Sequence, residues 1–365
     1  MEQNTTKGFN VTDRLGDFID NKCGQKYLLV CDSAFKYLKI KDTVSDILKD
    51  FVAFDGFTPN PKYEDVCKGV EIYRENGCNA IVAIGGGSAI DVAKCIKLFS
   101  VLPPDKNYLE QPFIDSNVHL IAIPTTAGTG SEATHFAVIY YSGKKISVAH
   151  ESILPDYVLL DPALLETLPI YQKICTMLDA LCHGIESWWS VNSTEESKRY
   201  SKEVVEKIIR YKDKYLDGDK FAAEQILSAS NLAGKAINIS KTTAAHAMSY
   251  KITSMYNLPH GHAVAVCLTG LWEFMYYNAD KCVDARGKKY LINIFECIAC
   301  ALGEDKIING IEKFDRILKD LQIYAPEIND GDLKVLVSSV NTERLQNNPV
   351  ALTENDLTTI YRNLK

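Results

Sequence analysis

The apolar run Ala80-Ile81-Val82-Ala83-Ile84 breaks at Gly85-Gly86-Gly87-Ser88, and helical periodicity resumes at once over residues 89–98. A strand that is apolar throughout has both faces covered, and one that hands over to a helix through glycine is a unit of a parallel α/β sheet. The flanking sequence repeats the pattern. Residues 27–32 read as a buried strand ending in an acid, 41–51 as a helix and 51–55 as a strand. Residues 62–76 read as an amphipathic helix and 119–124 as a fourth strand. This alternation predicts a parallel sheet with helices on both faces. Residues 136–141 and 146–150 then read as a hairpin turned at Ser142-Gly143, and 158–161 as a last short strand. From residue 162 onward only helical periodicity is found, over 197–215, 224–237, 243–255, 262–278, 291–302 and 308–321. The expected organisation is an α/β domain over 1–162 and an all-α domain over 163–365.

A chain of 365 residues is long enough for two domains with their own cores. Its net charge of −7 and pI of about 5.6 argue against nucleic acid and against an anionic membrane surface. No apolar run approaches the roughly 20 residues that span a bilayer. The first eight residues carry no apolar signal region, so a cytoplasmic location is expected. The eleven cysteines are an odd count without zinc-ribbon spacing, and Cys297 and Cys300 lie in an apolar helical stretch. They read as mostly buried, reduced thiols, Cys182 among them as a packing residue. The sequons at Asn192 and Asn238 carry no weight without secretion.

Two loops and four side chains carry the chemistry. Gly85 to Asp91 leaves a strand and opens a helix, which points free backbone N–H groups at an anion; it reads equally as a tight β-α turn. The loop Pro124-Thr125-Thr126-Ala127-Gly128-Thr129-Gly130-Ser131 also leaves a strand end, and its hydroxyls suit a diphosphate and ribose or plain solvent. Two such loops at neighbouring strand ends favour the ligand reading, because open α/β sheets bind ligands there. Asp179 and His183 are four apart and share one helix face. That spacing alone fits a surface pair. With His246 and His260 it becomes one carboxylate and three imidazoles, a set that suits Fe2+ or Zn2+.

Gly85-Gly-Gly-Ser-Ala-Ile-Asp91, Pro124-Thr-Thr-Ala-Gly-Thr-Gly-Ser-Glu132, Asp179-x-x-x-His183 and the His246–His260 segment, in this order and at these separations, resemble the iron-dependent (group III) alcohol dehydrogenase family over nearly the whole length. The resemblance implies a dehydroquinate synthase-like architecture, a Rossmann-like dinucleotide domain followed by a helical domain. It implies metal ligands Asp179, His183, His246 and His260. It places the cofactor diphosphate on Gly86, Gly87 and Ser88, with Asn60, Asp91, Thr125, Thr126, Thr129 and Lys145 lining the rest. Asp32 falls at the strand end that reads the adenosine ribose, where a carboxylate bonds a 2′-hydroxyl and repels a 2′-phosphate. NAD(H) is therefore expected over NADP(H). Many members carry a histidine four residues after the third ligand; this chain has Tyr250 there.

Within the family, the stretch from His246 to Ala265 is similar to phosphonoacetaldehyde reductases. The expected reaction is reduction of phosphonoacetaldehyde to 2-hydroxyethylphosphonate, with the metal polarising the carbonyl, the nicotinamide giving the hydride, and Tyr250 or His262 helping the proton. Lys251, Arg286 and His262 are available cationic groups for a phosphonate, and Glu186 is a candidate partner for a ligand histidine. A general short-chain alcohol or diol dehydrogenase, a dehydroquinate synthase-like lyase and a non-catalytic metal or nucleotide binder are the rival readings. A homo-oligomer, dimer or larger, is expected.

Overall fold

The computed structural model describes residues 3–22 and 26–364. Met1, Glu2 and Cys23, used in the sequence reading, lie outside them. The chain forms two compact units, Met1–Leu168 and Pro169–Lys365.

Among the described residues the first unit carries eight strands: β1 (Asn4–Lys7), β2 (Tyr27–Cys31), β3 (Phe51–Phe54), β4 (Ala80–Gly85), β5 (His119–Pro124), β6 (Phe136–Tyr141), β7 (Lys144–Ala149) and β8 (Tyr157–Leu160). Six of them form one sheet in the order β1-β8-β5-β4-β2-β3, every pair parallel, while β6 and β7 make the separate antiparallel hairpin. The parallel sheet expected from the sequence is present. The helices are α1 (Leu15–Lys22), α2 (Lys41–Leu48), α3 (Tyr63–Glu75) and α4 (Gly87–Phe99).

Strand periodicity explains why both sheet faces are covered. Leu28, Val30, Ile81, Ala83, Leu120 and Ala122 join one core, into which α3 sends Val66 and Val70 and α4 sends Ile90 and Phe99. The alternate residues Leu29, Cys31, Val82, Ile84, Ile121 and Ile123 join a second core with Leu15, Val44 and Leu48 of α1 and α2. Strands apolar at every position are the signature of such a doubly covered sheet. β1 escaped the sequence reading because Asn-Thr-Thr-Lys has no apolar pattern; it is an exposed edge strand, held by its register with β8 from Asn4–Tyr157 to Lys7–Leu160.

The second unit is helical among its described residues: α5 (Ile170–Trp189), α6 (Glu195–Leu216), α7 (Lys220–Ser240), α8 (Ala244–Tyr256), α9 (His260–Tyr277), α10 (Lys288–Ala301), α11 (Ile307–Asp320), α12 (Asp330–Ser338), α13 (Thr342–Leu345) and α14 (Glu354–Arg362). Side-chain caps begin several of them. Thr194 accepts from Ser197 N at the head of α6, Asp219 from Ala222 N at α7 and Thr353 from Asp356 N at α14. Trp189, Trp272 and Phe295 meet in the core, with ring centroids 5.9 to 6.3 Å apart. Short helices α12 to α14 carry too few turns for periodicity to mark them. No helix among the described residues is long and apolar enough to cross a membrane. The described cysteines are unbridged; Cys31, Cys78, Cys95, Cys175, Cys182 and Cys267 are buried, whereas Cys300 is exposed.

Candidate metal centre and dinucleotide loops

In the first unit, Asp32, Gly85–Ser88 and the 124–131 loop follow the carboxyl ends of β2, β4 and β5, three neighbouring strands. The pairing runs to the strand tips, Cys31 opposite Ile84 and Gly85 opposite Pro124. Glycine is required where the loops meet. A Cβ at Gly87 would stand 2.8 Å from Cγ2 of Thr129, and one at Gly85 2.7 Å from Cβ of Ala89. A Cβ at Gly86 would reach Thr126 at 3.4 Å. The two loops thus lie backbone to hydroxyl, and the N-terminus of α4, capped at Gly86 with no side-chain acceptor, leaves its N–H groups for an anion. Thr125 N donates to Gly85 O at 3.0 Å, tying the loops together. Asp32 lies beside this junction, with Oδ1 accepting from Ala34 N at 2.8 Å and Oδ2 3.2 Å from the Gly85 Cβ position.

Asn60 adopts a left-handed conformation, φ 61°, which Asn tolerates better than most residues. Its loop is pinned to the hairpin by Tyr140 N donating to Pro61 O at 2.8 Å. Lys145 sits on β7 opposite Tyr140 and is half-buried. Its charge acts on Asp91. Asp91 itself is an anchor: Oδ1 accepts from the Ser131 hydroxyl at 2.5 Å and Oδ2 from Val138 N at 2.9 Å. Burial pushes its carboxyl upward against the pull of Lys94.

Lys94 was not singled out in the sequence. It is fully buried, and Nζ donates to Ser131 Oγ, Thr134 Oγ1 and Phe136 O, each at 2.9 Å, and also to Ser131 O. Burial lowers its pKa to about 8 although Asp91 and Glu132 oppose this. A lysine on the buried stripe of an apolar helix, three after an aspartate, is the signal that marks it.

In the second unit, α5 supplies Asp179, His183 and Glu186, α8 supplies His246 and Tyr250, and α9 begins at His260. Asn257, left-handed at φ 51°, ends α8, and Pro259 starts α9, so a three-residue turn delivers His260. Asp179, His246 and His260 converge: one ligand atom from each lies within 4.8 Å of the others. His246 Nε2 is 3.5 Å and His260 Nε2 4.0 Å from Asp179 Oδ1. His183 does not join that group; its ring stacks on His246, centroids 4.4 Å apart and 14° between planes.

Glu186 is fully buried and organises His246. Its Oε2 takes the Nδ1–H of His246, while Oε1 accepts from Thr243 Oγ1 at 2.6 Å, Thr243 N at 3.2 Å and Ala245 N at 3.0 Å. It is a buried partner of a candidate ligand, not a surface acid. With Nδ1 committed to Glu186, Nε2 is the nitrogen left facing Asp179, where it carries a proton in the metal-free protein and is the atom that a metal would take. Those two atoms, Nε2 and Asp179 Oδ1, are buried without a hydrogen bond. A cation belongs between them, a proton on Nε2 when the site is empty and a divalent ion when it is loaded. The electrostatics agree: burial alone would raise Asp179, but His183, His246 and His260 hold it below the ordinary carboxylate range. Burial alone would lower His246, but Glu186 and Asp179 lift it to about 9. The donor set of one carboxylate and imidazoles fits a divalent first-row metal.

The remaining candidates separate. Tyr250 stacks on His260, centroids 5.6 Å apart and 13° between planes. His262 lies about 200° around α9 from His260. Its Nδ1 accepts from the Tyr171 hydroxyl and its Nε2 donates to Tyr324 O, both at 2.8 Å, so both nitrogens are used in holding α5 and the 324 segment. Arg286 is also committed, binding Asp284, the Ser190 and Ser193 carbonyls and the Tyr290 hydroxyl at 2.6 to 2.9 Å. It fastens the turn after α5 and is not available to a phosphonate. Lys251 is half-buried on α8.

The chain belongs to the iron-containing alcohol dehydrogenase family. Residues 3–162 match the model of that family and residues 173–364 that of the Fe-containing alcohol dehydrogenase C-terminal region. Among curated proteins, it is 34% identical over 277 residues to aldehyde-alcohol dehydrogenase 2 of Entamoeba histolytica, covering 70% of this chain and 32% of that protein. It is 32% identical over 279 residues to the phosphonoacetaldehyde reductase of Streptomyces viridochromogenes, covering 73% and 70%. The chain spans between about a third and somewhat over half of the length of the first relatives it matches, 32% for the amoebal protein and 56% for two bacterial ones. The structure superposes on an iron-containing alcohol dehydrogenase from Thermococcus thioreducens with a TM-score of 0.89 at 25% identity, over 99% of this chain and 98% of that one.

Proposed function

We propose that this protein is a metal-dependent, nicotinamide-linked reductase of a small aldehyde, and that phosphonoacetaldehyde, reduced to 2-hydroxyethylphosphonate, is its substrate. The observation that carries the reading is the facing pair Asp179 Oδ1 and His246 Nε2, 3.5 Å apart, buried and without hydrogen-bond partners. Asp179, His246 and His260 would hold the ion, with His183 beside them. When bound, the metal supplies a Lewis acid for a carbonyl oxygen and the nicotinamide supplies a hydride. Family membership and the resemblance to a phosphonoacetaldehyde reductase support the assignment.

The protein's own residues do the rest. Glu186 fixes the tautomer of His246, so the site is set before substrate arrives. Asp179 stays ionised because the imidazoles outweigh its burial. The ring of Tyr250 stacks on His260, and its phenol is the group proposed to pass a proton to a nascent alcohol. The N-terminus of α4 and the hydroxyls of Thr126 and Thr129 suit a diphosphate, and Asp32 suits the 2′-hydroxyl of NAD(H). Iron is the metal proposed, with Zn2+ as the alternative that the same ligands admit. A cytoplasmic homo-oligomer acting on a small molecule is the setting proposed.

The test is NADH oxidation by metal-reconstituted protein with phosphonoacetaldehyde beside propanal and lactaldehyde. A kcat/KM at least about 100-fold higher for phosphonoacetaldehyde, about 2.7 kcal/mol of discrimination, supports the assignment. Equal rates point to a general alcohol or diol dehydrogenase, and no turnover with metal bound points to the lyase.

A further inference from the structure

Arg344, on the short helix α13, lies over the ring of Tyr250, its guanidinium carbon 5.0 Å from the ring centroid. Its Nη1 donates to the Tyr250 hydroxyl. Tyr250 in turn lies parallel to the imidazole of His260, 5.6 Å away. A cation, a phenol and a candidate metal ligand thus adjoin one another in that order. Arg344 is half-buried, and among the described residues no carboxylate is paired with it.

A guanidinium that no described carboxylate neutralises, close to a centre suited to a divalent cation, is electrostatically unfavourable. It becomes favourable when an anion enters. Guanidinium presents five N–H donors in a plane, and the phenol hydroxyl engages one nitrogen, so donors remain for the forked recognition of a tetrahedral oxyanion. Of the other cationic side chains considered for this task, Arg286 and His262 are spent on protein partners, and Lys251 is half-buried on α8.

We propose that Arg344 is the specificity residue of the site, binding the anionic tail of a short aldehyde whose carbonyl lies at the Asp179–His246–His260 centre, and that Tyr250 positions it. The substrate class is an aldehyde carrying a phosphonate or a similar tetrahedral oxyanion; this rests on the reductase reading above. The hydrogen bond to the Tyr250 hydroxyl and the contact with its ring hold the guanidinium in place, so less rotamer freedom is lost when the anion binds.

The experiment uses the metal-loaded full chain as wild type, Arg344→Gln and Arg344→Lys, each checked for an unchanged thermal unfolding transition. Two quantities are read: the ratio of kcat/KM for phosphonoacetaldehyde to that for propanal, and the affinity for methylphosphonate by calorimetry. The expected result for Arg344→Gln is a fall of about 10- to 100-fold in the ratio, chiefly through KM, with a matching loss of methylphosphonate affinity. Arg344→Lys, which keeps charge but not the fork, should recover part of both. A wild type that prefers phosphonoacetaldehyde and an Arg344→Gln variant that keeps the same preference would overturn the role of Arg344 alone. A wild type with no preference and no methylphosphonate binding overturns the phosphonate reading, and the role of Arg344 with it.

Discussion

Gly261 lies so close to the carbonyl oxygen of Cys175 that a Cβ built on it would stand 1.9 Å from that atom and 2.9 Å from the Cβ of Asp179. The obstacle is backbone, so it cannot swing aside. This contact of α9 with α5 sets His260 beside Asp179.

Gly261→Ala should therefore push the start of α9 away from α5 and separate His260 from Asp179. The expected outcome is loss of stoichiometric metal, with helix content retained. Metal analysis after reconstitution, alongside far-UV circular dichroism, checks it. Full metal occupancy in a folded variant would show that the close approach is not what builds the centre.

Glu186→Gln keeps the size of the side chain but removes the charge that fixes His246. Metal affinity is expected to fall about 10- to 100-fold, the usual consequence of losing an outer partner of a ligand histidine. Competition against a chromogenic chelator measures it. An unchanged affinity would mean that His246 does not depend on Glu186 for its tautomer.

Asp32 is the residue proposed to set the cofactor preference. A carboxylate about 4 Å from a 2′-phosphate meets a repulsion of roughly 4 kcal/mol per charge pair at an effective dielectric near 20, and solvent at this half-exposed site reduces that. Asp32→Asn should raise the kcat/KM ratio of NADPH to NADH by at least about 10-fold. Paired steady-state assays with both nucleotides give the answer.

Lys94→Met removes a buried cation whose four acceptors include two backbone carbonyls. Leaving those acceptors and Asp91 without it should cost about 3 kcal/mol of stability. A urea titration followed by fluorescence reports the shift in midpoint. A neutral result would show that the 131–136 segment repacks without the lysine.

The thiols should divide sharply by pH. Burial lifts Cys31 to about 12 and pushes Cys95, Cys182 and Cys267 well upward. A raised thiol pKa suppresses the thiolate until the pH approaches the folded-state value, and the thiolate is the nucleophile. At pH 8 a thiol of pKa 12 is only about one part in ten thousand thiolate. Exposed Cys300 should react with an alkylating reagent within minutes, and the four buried cysteines only on unfolding. Peptide mapping by mass spectrometry distinguishes them; early modification of Cys31 in the native protein would contradict its burial.

Much of this was legible in the chain itself. Uninterrupted apolar runs such as Ala80–Ile84 can be buried only in a sheet covered on both faces, and the glycines that follow can only open a tight strand-to-helix turn, so the parallel α/β unit is written locally. So was the shared face of Asp179 and His183, because helical spacing is a local property. Tertiary structure decided what those residues meet. Sequence spacing gave His183 the same standing as His246 and His260; in the fold the ligand atoms of Asp179, His246 and His260 lie close together while His183 stacks on His246, and it is the contact at Gly261 that brings α9 to α5. Likewise, Arg286 and His262 carry the right chemical groups for an anion, but packing gives their nitrogens to carbonyls and hydroxyls. Arg344, more than 90 positions from Tyr250, was brought onto its ring by the fold alone. Periodicity reports which face a residue occupies, and only the packing of distant helices determines which charges stand unpaired at that face.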